Sequence, residues 1–296
     1  WHVVMCQSCK VSLTYHEQFG KAVCHYCNYR IALPERCPSC KSKNIKLSGL
    51  GTERVVAQVK KRFPSASVDR LDTDRVRKRG EADKIIKRFS QGDIDILIGT
   101  QMIAKGFDFP HVTLVGVINA DSILALRDFR SCERAFQLLT QVAGRTGRGI
   151  KGGRVIVQTF MPDHYAIRFA RRHDYDRFYE KEIRDRMELQ YPPFSMLINI
   201  IIRSRDEKKL RSLCEKMQDM WQKRPLLNDA QKQQDYEIIG PAPLPFYKLR
   251  NYFRWHIMIR GTNAEALHKC ADRIVASITR ARDTYVAIDI DPISIL

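Results

Sequence analysis

The chain has 296 residues, 44% of them hydrophobic, and its 51 Lys and Arg against 33 Asp and Glu give a net charge of +18. A chain of that length can bury a hydrophobic core and favours more than one domain. The positive charge favours a polyanionic partner, of which nucleic acid is the first candidate. The alternative is a basic soluble protein without such a partner. The sequence disfavours a membrane or secreted protein and predicts a cytoplasmic one, because it has no run of about 18 apolar residues and no secretory signal pattern.

Residues 1–47 are predicted to form a small cysteine-rich zinc module. Six of the nine cysteines fall there, in three Cys-x-x-Cys pairs. Disulfides are disfavoured in a reducing cytoplasm, whereas repeated pairs of this kind present thiolates to a tetrahedral zinc ion. The pairs are Cys6/Cys9, Cys24/Cys27 and Cys37/Cys40.

The first two pairs are predicted to complete one structural zinc site, since four thiolates leave no open coordination position. Cys37 and Cys40 would then be half of a second site. His16 or His25 could complete that half site, but a cysteine pair upstream of Trp1 is the simpler hypothesis. The sequence begins with Trp close to a metal-type cysteine pair, so we expect it to be a piece of a longer protein.

Residues 48–190 are predicted to form an α/β lobe. Helical patterns cover 52–63, 81–89 and 132–143, apolar strands cover 66–71, 94–98, 112–118 and 155–160, and a long charged helix covers about 163–189. Such alternation is typical of a parallel sheet with helices on both faces, whose ligands lie at the C-terminal ends of the strands. Tyr191-Pro192-Pro193 breaks the charged helix and marks the next boundary.

Residues 191–296 are predicted to form an α+β domain. Strands are expected near 196–203, 236–239, 252–260 and 285–290, helices near 206–221 and 263–280, and a proline-rich turn at 240–245. The order βαββαβ suggests a split, ferredoxin-like sandwich.

A basic segment of this domain is a candidate DNA contact. Its cations are Lys248, Arg250 and Arg254, and aromatic residues lie between and beside them. Cations would bind phosphates while exposed rings stack on unpaired bases. The alternative for the aromatic residues is core packing, because alternate residues of a strand face opposite sides.

Three motifs lie in the α/β lobe. They are Gly-Thr-Gln-Met-Ile-Ala-Lys-Gly-Phe-Asp-Phe-Pro from Gly99, Asp-Phe-Arg-Ser-Cys-Glu-Arg from Asp128, and Gln-Val-Ala-Gly-Arg-Thr-Gly-Arg from Gln141. The last offers two guanidinium groups beside glycines, and arginine suits bidentate contact with phosphate oxygens.

The motifs resemble motifs V and VI of superfamily 2 helicases. The resemblance extends over essentially the whole chain to the PriA, or primosomal protein N′, family of replication-restart DNA helicases, in which a cysteine-rich module with interleaved zinc sites is inserted in the second RecA-like motor lobe. It implies an ATP-dependent 3′→5′ helicase that recognises stalled forks and initiates primosome assembly. The implied partners are DNA forks, single strands, other primosome proteins and single-stranded DNA-binding protein.

The resemblance also assigns roles to residues. Arg148 would be the arginine finger on the γ-phosphate. The other residues expected at the nucleotide or in the motor cleft are Gln141, Arg145, Gly144, Gly106 and Asp108. Those expected near the DNA backbone are Thr100, Gln101 and Lys105.

The phosphate-loop and magnesium-binding motifs of such helicases do not occur in this sequence. It has no Gly-x-x-x-x-Gly-Lys-Ser/Thr loop and no Asp-Glu-x-His motif, so we expect ATP and Mg²⁺ to be held by a preceding lobe and this chain alone not to hydrolyse ATP. One alternative is a non-enzymatic, zinc-stabilised nucleic-acid scaffold. Another superfamily 2 translocase is a second alternative, which the three cysteine pairs disfavour.

Overall fold

The structure is a computed structural model. It describes residues 4–9, 13–16, 20–24, 27, 29–32, 34–37, 40–42, 51–72, 80–101, 103, 109, 111–126, 128–144, 153–223, 236–278 and 283–295.

The cysteine-rich module is built on three short antiparallel strands. These are β1 (Thr14–His16), β2 (Lys21–Val23) and β3 (Arg30–Ala32), in the order β1-β2-β3. The turn after β2 is closed by the Cys24 amide, which donates to the Tyr29 carbonyl at 2.8 Å. A short ribbon of this size depends on its cysteines more than on an apolar core, as the sequence predicts.

The α/β lobe follows the predicted alternation. Its elements are α1 (Thr52–Arg62), β4 (Val68–Leu71), α2 (Glu81–Gln91), β5 (Ile96–Gly99), β6 (Leu114–Val117), α3 (Asp121–Leu124), α4 (Ser131–Ala143) and β7 (Arg154–Val157). Strands β4 and β5 pair in parallel, and so do β6 and β7. Within the described ranges the strands form these two pairs and not one continuous sheet.

Gly99 allows the end of β5 to lie close to β4. A Cβ atom there would lie 2.2 Å from the Leu71 carbonyl oxygen and 2.3 Å from Ile103 Cδ1. Both distances are far inside van der Waals contact, so any side chain would push the strands apart. The glycine therefore sets the point at which Thr100 and Gln101 leave the sheet.

The prediction of one long helix over 163–189 was wrong. The segment forms α5 (Tyr165–Arg171) and α6 (Tyr175–Glu188), separated at His173 with a left-handed φ of 53°. The Asp174 side chain accepts from the Arg177 amide at 3.1 Å, which begins α6. A side-chain cap starts a new helix even where the charge pattern looks continuous.

The C-terminal domain has the predicted βαββαβ order. Its elements are β8 (Met196–Ser204), α7 (Glu207–Lys223), β9 (Tyr236–Leu249), β10 (Tyr252–Gly261), α8 (Ala264–Ile278) and β11 (Thr284–Ile290). The antiparallel sheet has the order β11-β8-β10-β9, the arrangement of a ferredoxin-like sandwich. Both helices contribute to a core that contains Ile200, Ile257 and Ile274.

The proline-rich turn predicted at 240–245 is instead part of β9. The strand continues through it with shifts of register against β10. Gly240 makes this possible, because its φ is +103° and a Cβ atom there would lie 2.8 Å from the His256 carbonyl oxygen. An irregular strand can accept proline where a regular central strand cannot.

Two sets of contacts join the C-terminal domain to the α/β lobe. Near the linker, Arg260 donates to the Leu189 carbonyl at 2.5 Å. At the end of the chain, Arg134 donates to the Ile293 carbonyl at 2.9 Å, and the Ser294 hydroxyl donates to the Asp128 carboxylate at 2.5 Å. The residues after β11 thus return to the start of α4.

None of the helices in the described ranges is long and apolar enough to span a bilayer.

Candidate metal centre and nucleic-acid interface

Four cysteines from two turns meet in one cluster, as predicted. The ligand atoms of Cys6, Cys9, Cys24 and Cys27 all lie within 4.8 Å of one another, and the sulfur atoms of Cys6 and Cys27 are 3.5 Å apart. A zinc–sulfur bond of about 2.3 Å in a tetrahedron separates its sulfur atoms by about 3.8 Å. The cluster therefore fits a zinc ion with four thiolate ligands.

The cluster is also the centre of the module's small core. The residues Cys6, Cys9 and Cys24 are almost fully buried, and Leu13 and Tyr29 pack against them. Burial raises the pKa of the Cys6 and Cys9 thiols above the usual value. Holding thiolates in such a site requires a cation, and a closed site of this kind has a structural role.

Cys37 and Cys40 lie on a separate turn. The Cys37 amide donates to the Ser42 carbonyl at 2.8 Å, and the Lys41 amide donates to the Cys37 carbonyl at 2.9 Å. In the part of the chain that the structure describes, this pair joins no cluster of three or more ligand residues. The residue His25 lies outside the described residues, as does the side chain of His16, so the half site stays a prediction.

The described motor residues lie at the ends of two elements. Thr100 and Gln101 are exposed directly after β5, and Gln141 and Gly144 are exposed at the end of α4. The remaining motor residues of the prediction lie outside the described residues: Lys105, Gly106, Asp108, Arg145 and Arg148.

A charged network fixes α4 against α6 at the end opposite to Gln141. Arg130 donates two hydrogen bonds to Glu133, at 3.0 and 2.6 Å, and Arg186 of α6 donates a third at 2.7 Å. The hydrogen bonds from Arg130 come first among the causes that lower the pKa of Glu133 to about 2. Stacking of Phe136 on Phe178, with ring centroids 4.1 Å apart, joins the same two helices.

The open face of the C-terminal sheet carries a row of cations and aromatic rings. Its register places Tyr285, Arg203 and Arg254 side by side across β11, β8 and β10. The Arg203 guanidinium lies 5.5 Å from the ring centroids of Tyr252 and Tyr285. Burial, and then the nearby Arg203, lowers the pKa of Arg254. The repulsion between the neighbouring Arg203 and Arg254 charges raises the free energy of this face, and a bound anion would offset that repulsion.

The sequence argument found only part of this sheet face, because it included Arg254 and missed Arg203, Arg205 and Tyr285. Alternation along β8 was an available signal for Arg203, since Ile202 faces the core while Arg203 is exposed. The cross-strand partner of Arg203 could not be found this way, because Tyr285 follows it by 82 positions.

The other predicted cations are in different surroundings. Lys248 is half-buried and its ammonium donates to the Gln7 carbonyl at 2.9 Å, in the first cysteine turn. Arg250 has an exposed side chain, while its backbone amide donates to Cys9 Sγ at 3.2 Å.

Three family models match the chain in order. They are described as the PriA DNA helicase Cys-rich region domain over residues 6–31, the helicase conserved C-terminal domain over residues 36–149, and the primosomal protein N C-terminal domain over residues 187–293.

Curated relatives match along nearly the whole chain. The Replication restart protein PriA of Bacillus subtilis is 38% identical over 294 residues, which are 98% of this chain and 36% of that protein. The protein of the same name from Borreliella burgdorferi is 36% identical over 299 residues, covering 100% of this chain and 43% of that protein. The one from Haemophilus influenzae is 32% identical over 291 residues, covering 98% and 39%. The chain therefore spans about two fifths of the length of these relatives.

Proposed function

This chain belongs to the PriA family of replication restart proteins, and we propose that it is the C-terminal part of an ATP-dependent 3′→5′ DNA helicase that recognises stalled forks and initiates primosome assembly. The observation that carries the proposal is the order of its parts: a four-cysteine cluster, an α/β lobe with the helicase motifs, and a ferredoxin-like domain. The partners would be forked and single-stranded DNA, other primosome proteins and single-stranded DNA-binding protein, in the cytoplasm.

The nucleotide would bind between this lobe and a preceding one. Exposure of Gln141 and Gly144 at the end of α4 supports this, because a nucleotide held by another lobe could reach that end of the helix. Guanidinium groups there can stabilise negative charge on the transferred phosphoryl group. Gly106 and Asp108 would contact the same nucleotide, whose phosphates and Mg²⁺ the other lobe would hold.

The test of the motor is Arg148→Ala in the intact protein. Loss of an arginine finger lowers nucleotide hydrolysis by roughly 10³–10⁵-fold where measured, so we expect DNA-stimulated ATP turnover to fall on that order while DNA affinity stays unchanged. Arg171→Ala, which removes an exposed arginine of α5, is the matched control.

If Arg148→Ala leaves ATP turnover at the control level, the motor assignment fails and the zinc-stabilised scaffold becomes the better explanation. Robust DNA-stimulated ATP hydrolysis by this chain alone would instead refute the assignment of the phosphate-binding and magnesium-binding parts to another lobe. The match to a primosomal C-terminal domain already weighs against an unrelated superfamily 2 translocase.

DNA would be contacted at two places. Thr100 and Gln101, with Lys105, would meet the backbone of the translocated strand at the end of β5. On the open sheet face, Arg254 and the arginines beside it would bind phosphates, and Arg250 would extend this surface at the turn between β9 and β10. We expect Lys248 to contribute less, because its ammonium already donates to Gln7.

The sheet face is tested with Arg203→Gln combined with Arg254→Gln. We expect weaker binding of single-stranded DNA and a salt dependence with a shallower slope, by about one to two units of log K against log salt. Exposed Lys208→Gln combined with Lys209→Gln on α7 removes the same charge from outside the row. Equal losses in both double variants would mean that total charge, and not this face, binds the DNA.

A further inference from the structure

The turn between β9 and β10 contacts the first cysteine turn of the metal cluster through three hydrogen bonds. The Lys248 ammonium donates to the Gln7 carbonyl at 2.9 Å, the Arg250 amide donates to Cys9 Sγ at 3.2 Å, and the Asn251 amide donates to the Ser8 carbonyl at 2.9 Å. Each residue from Gln7 to Cys9 therefore has a partner in a domain about 240 residues away along the chain: Gln7 and Ser8 through their carbonyl oxygens, and Cys9 through its sulfur.

The shape of the turn makes these contacts possible. Arg250 and Asn251 have φ values of 50° and 67°, and they connect the paired residues Leu249 and Tyr252. Two left-handed residues between paired strands form a tight hairpin turn. Here both amides of the turn donate to the cysteine turn, and Leu249 packs against the cysteine cluster.

Zinc bound by the four cysteines would strengthen these three hydrogen bonds. Four thiolates around one divalent cation keep a net negative charge, and an N–H group donates a stronger hydrogen bond to a charged acceptor than to a neutral one. The Lys248 ammonium beside the same turn adds favourable electrostatics. The contacts are thus suited to a zinc-loaded cysteine turn.

We propose that the β9–β10 turn is the outer shell of the zinc site, and that zinc in turn holds the cysteine module against the C-terminal domain. Coupling of this kind is reciprocal: whatever the turn adds to zinc affinity, zinc adds to docking of the turn. In this role Leu249 and Lys248 are positioning residues, and Arg250 contributes its backbone amide.

Hydrogen exchange on the unmutated chain tests the proposal directly. The amides of Arg250 and Asn251 should be protected when zinc is bound and should lose that protection when a chelator removes it, while the amides of β8 stay protected in both states. Unchanged protection of the two turn amides after zinc removal would overturn the proposal.

A second test measures transfer of zinc to a coloured chelator. Lys248→Met combined with Leu249→Ala should release zinc about 10–100-fold faster, the usual effect of losing outer-shell partners. Lys209→Met is the matched control, because it removes an exposed lysine of α7 outside the turn. It should release zinc like the unmutated chain. Release by the double variant at the unmutated rate would contradict the proposed role.

Discussion

The C-terminal domain and the cysteine module are stabilised by different physics. The domain buries a continuous apolar cluster between its sheet and two helices, including Ile200, Met217 and Ile257 at 1% exposure or less. Among the module's residues whose burial the structure describes, three of the four clustered cysteines are the most deeply buried. Hydrophobic burial needs no ligand, whereas a thiolate cluster needs its cation, so the two regions should respond differently to the same change.

The largest expected effect is loss of the metal. We expect Cys24→Ser, or zinc removal by a chelator, to unfold the cysteine module, because structural zinc in small modules contributes about 10–16 kcal/mol of apparent binding free energy. The β8–β10 pairing should survive. Hydrogen exchange and zinc stoichiometry measure both outcomes. Cys132→Ser, outside the cluster, serves as the control and should keep its zinc; concerted loss of the C-terminal sheet would show that the two regions form one folding unit.

A smaller effect is expected from a cavity in the apolar core. Replacing fully buried Ile257 with Ala should lower the free energy of unfolding of the C-terminal domain by about 2–5 kcal/mol, while zinc content stays the same. Ile288→Ala is the control, since this residue of β11 is 47% exposed, and should change stability by less than about 0.5 kcal/mol. Urea unfolding followed by circular dichroism gives the comparison, and equal losses in the two variants would refute the role assigned to this core.

The α/β lobe adds a third kind of contact, the charged network around Glu133, and its loss should lower stability the least. Glu133→Gln weakens the hydrogen bonds from Arg130 and Arg186, which we expect to cost about 1–2 kcal/mol, allowing for partial solvent exposure. Because the pKa of Glu133 is lowered to about 2 from 4.5, its stabilisation is complete above the usual value and is lost as the pH falls from there towards 2.

The difference in urea midpoint between the unmutated chain and Glu133→Gln should therefore shrink below about pH 4.5. Acid also removes zinc from both proteins, and the effect of that loss on the midpoint cancels when the difference is taken. Glu265→Gln, in an exposed pair with Lys269, is the control and should show no resolvable change in midpoint. A pH-independent difference would mean that the charge of Glu133 is not what matters.

The contrast between features set by neighbouring residues and features set by distant ones explains what the sequence could predict. The spacing of Cys6, Cys9, Cys24 and Cys27 predicted the four-cysteine cluster, because two close pairs supply four thiols to one site. Helix α4 was predicted to within a residue from its apolar period. The pattern of charged residues continues through His173, so it did not reveal that one helix ends there and that Asp174 caps a second.

Long-range contacts were beyond such reasoning. The pattern of charges and rings that made Lys248 look like a DNA contact could not reveal a carbonyl at Gln7, 241 positions away, as its partner. The row of Tyr285, Arg203 and Arg254 likewise depends on strand order, which neighbouring residues in the chain do not specify.

The return of the chain's last residues to the start of α4 changes how the two large parts can move. A domain attached only through its linker near Leu189 could swivel about that one point. The contacts from Arg134 to Ile293 and from Ser294 to Asp128 form a second attachment on the helix that carries Gln141 at its other end. The two attachments together restrict that swivelling, so the orientation of the C-terminal sheet relative to α4 depends on both contacts.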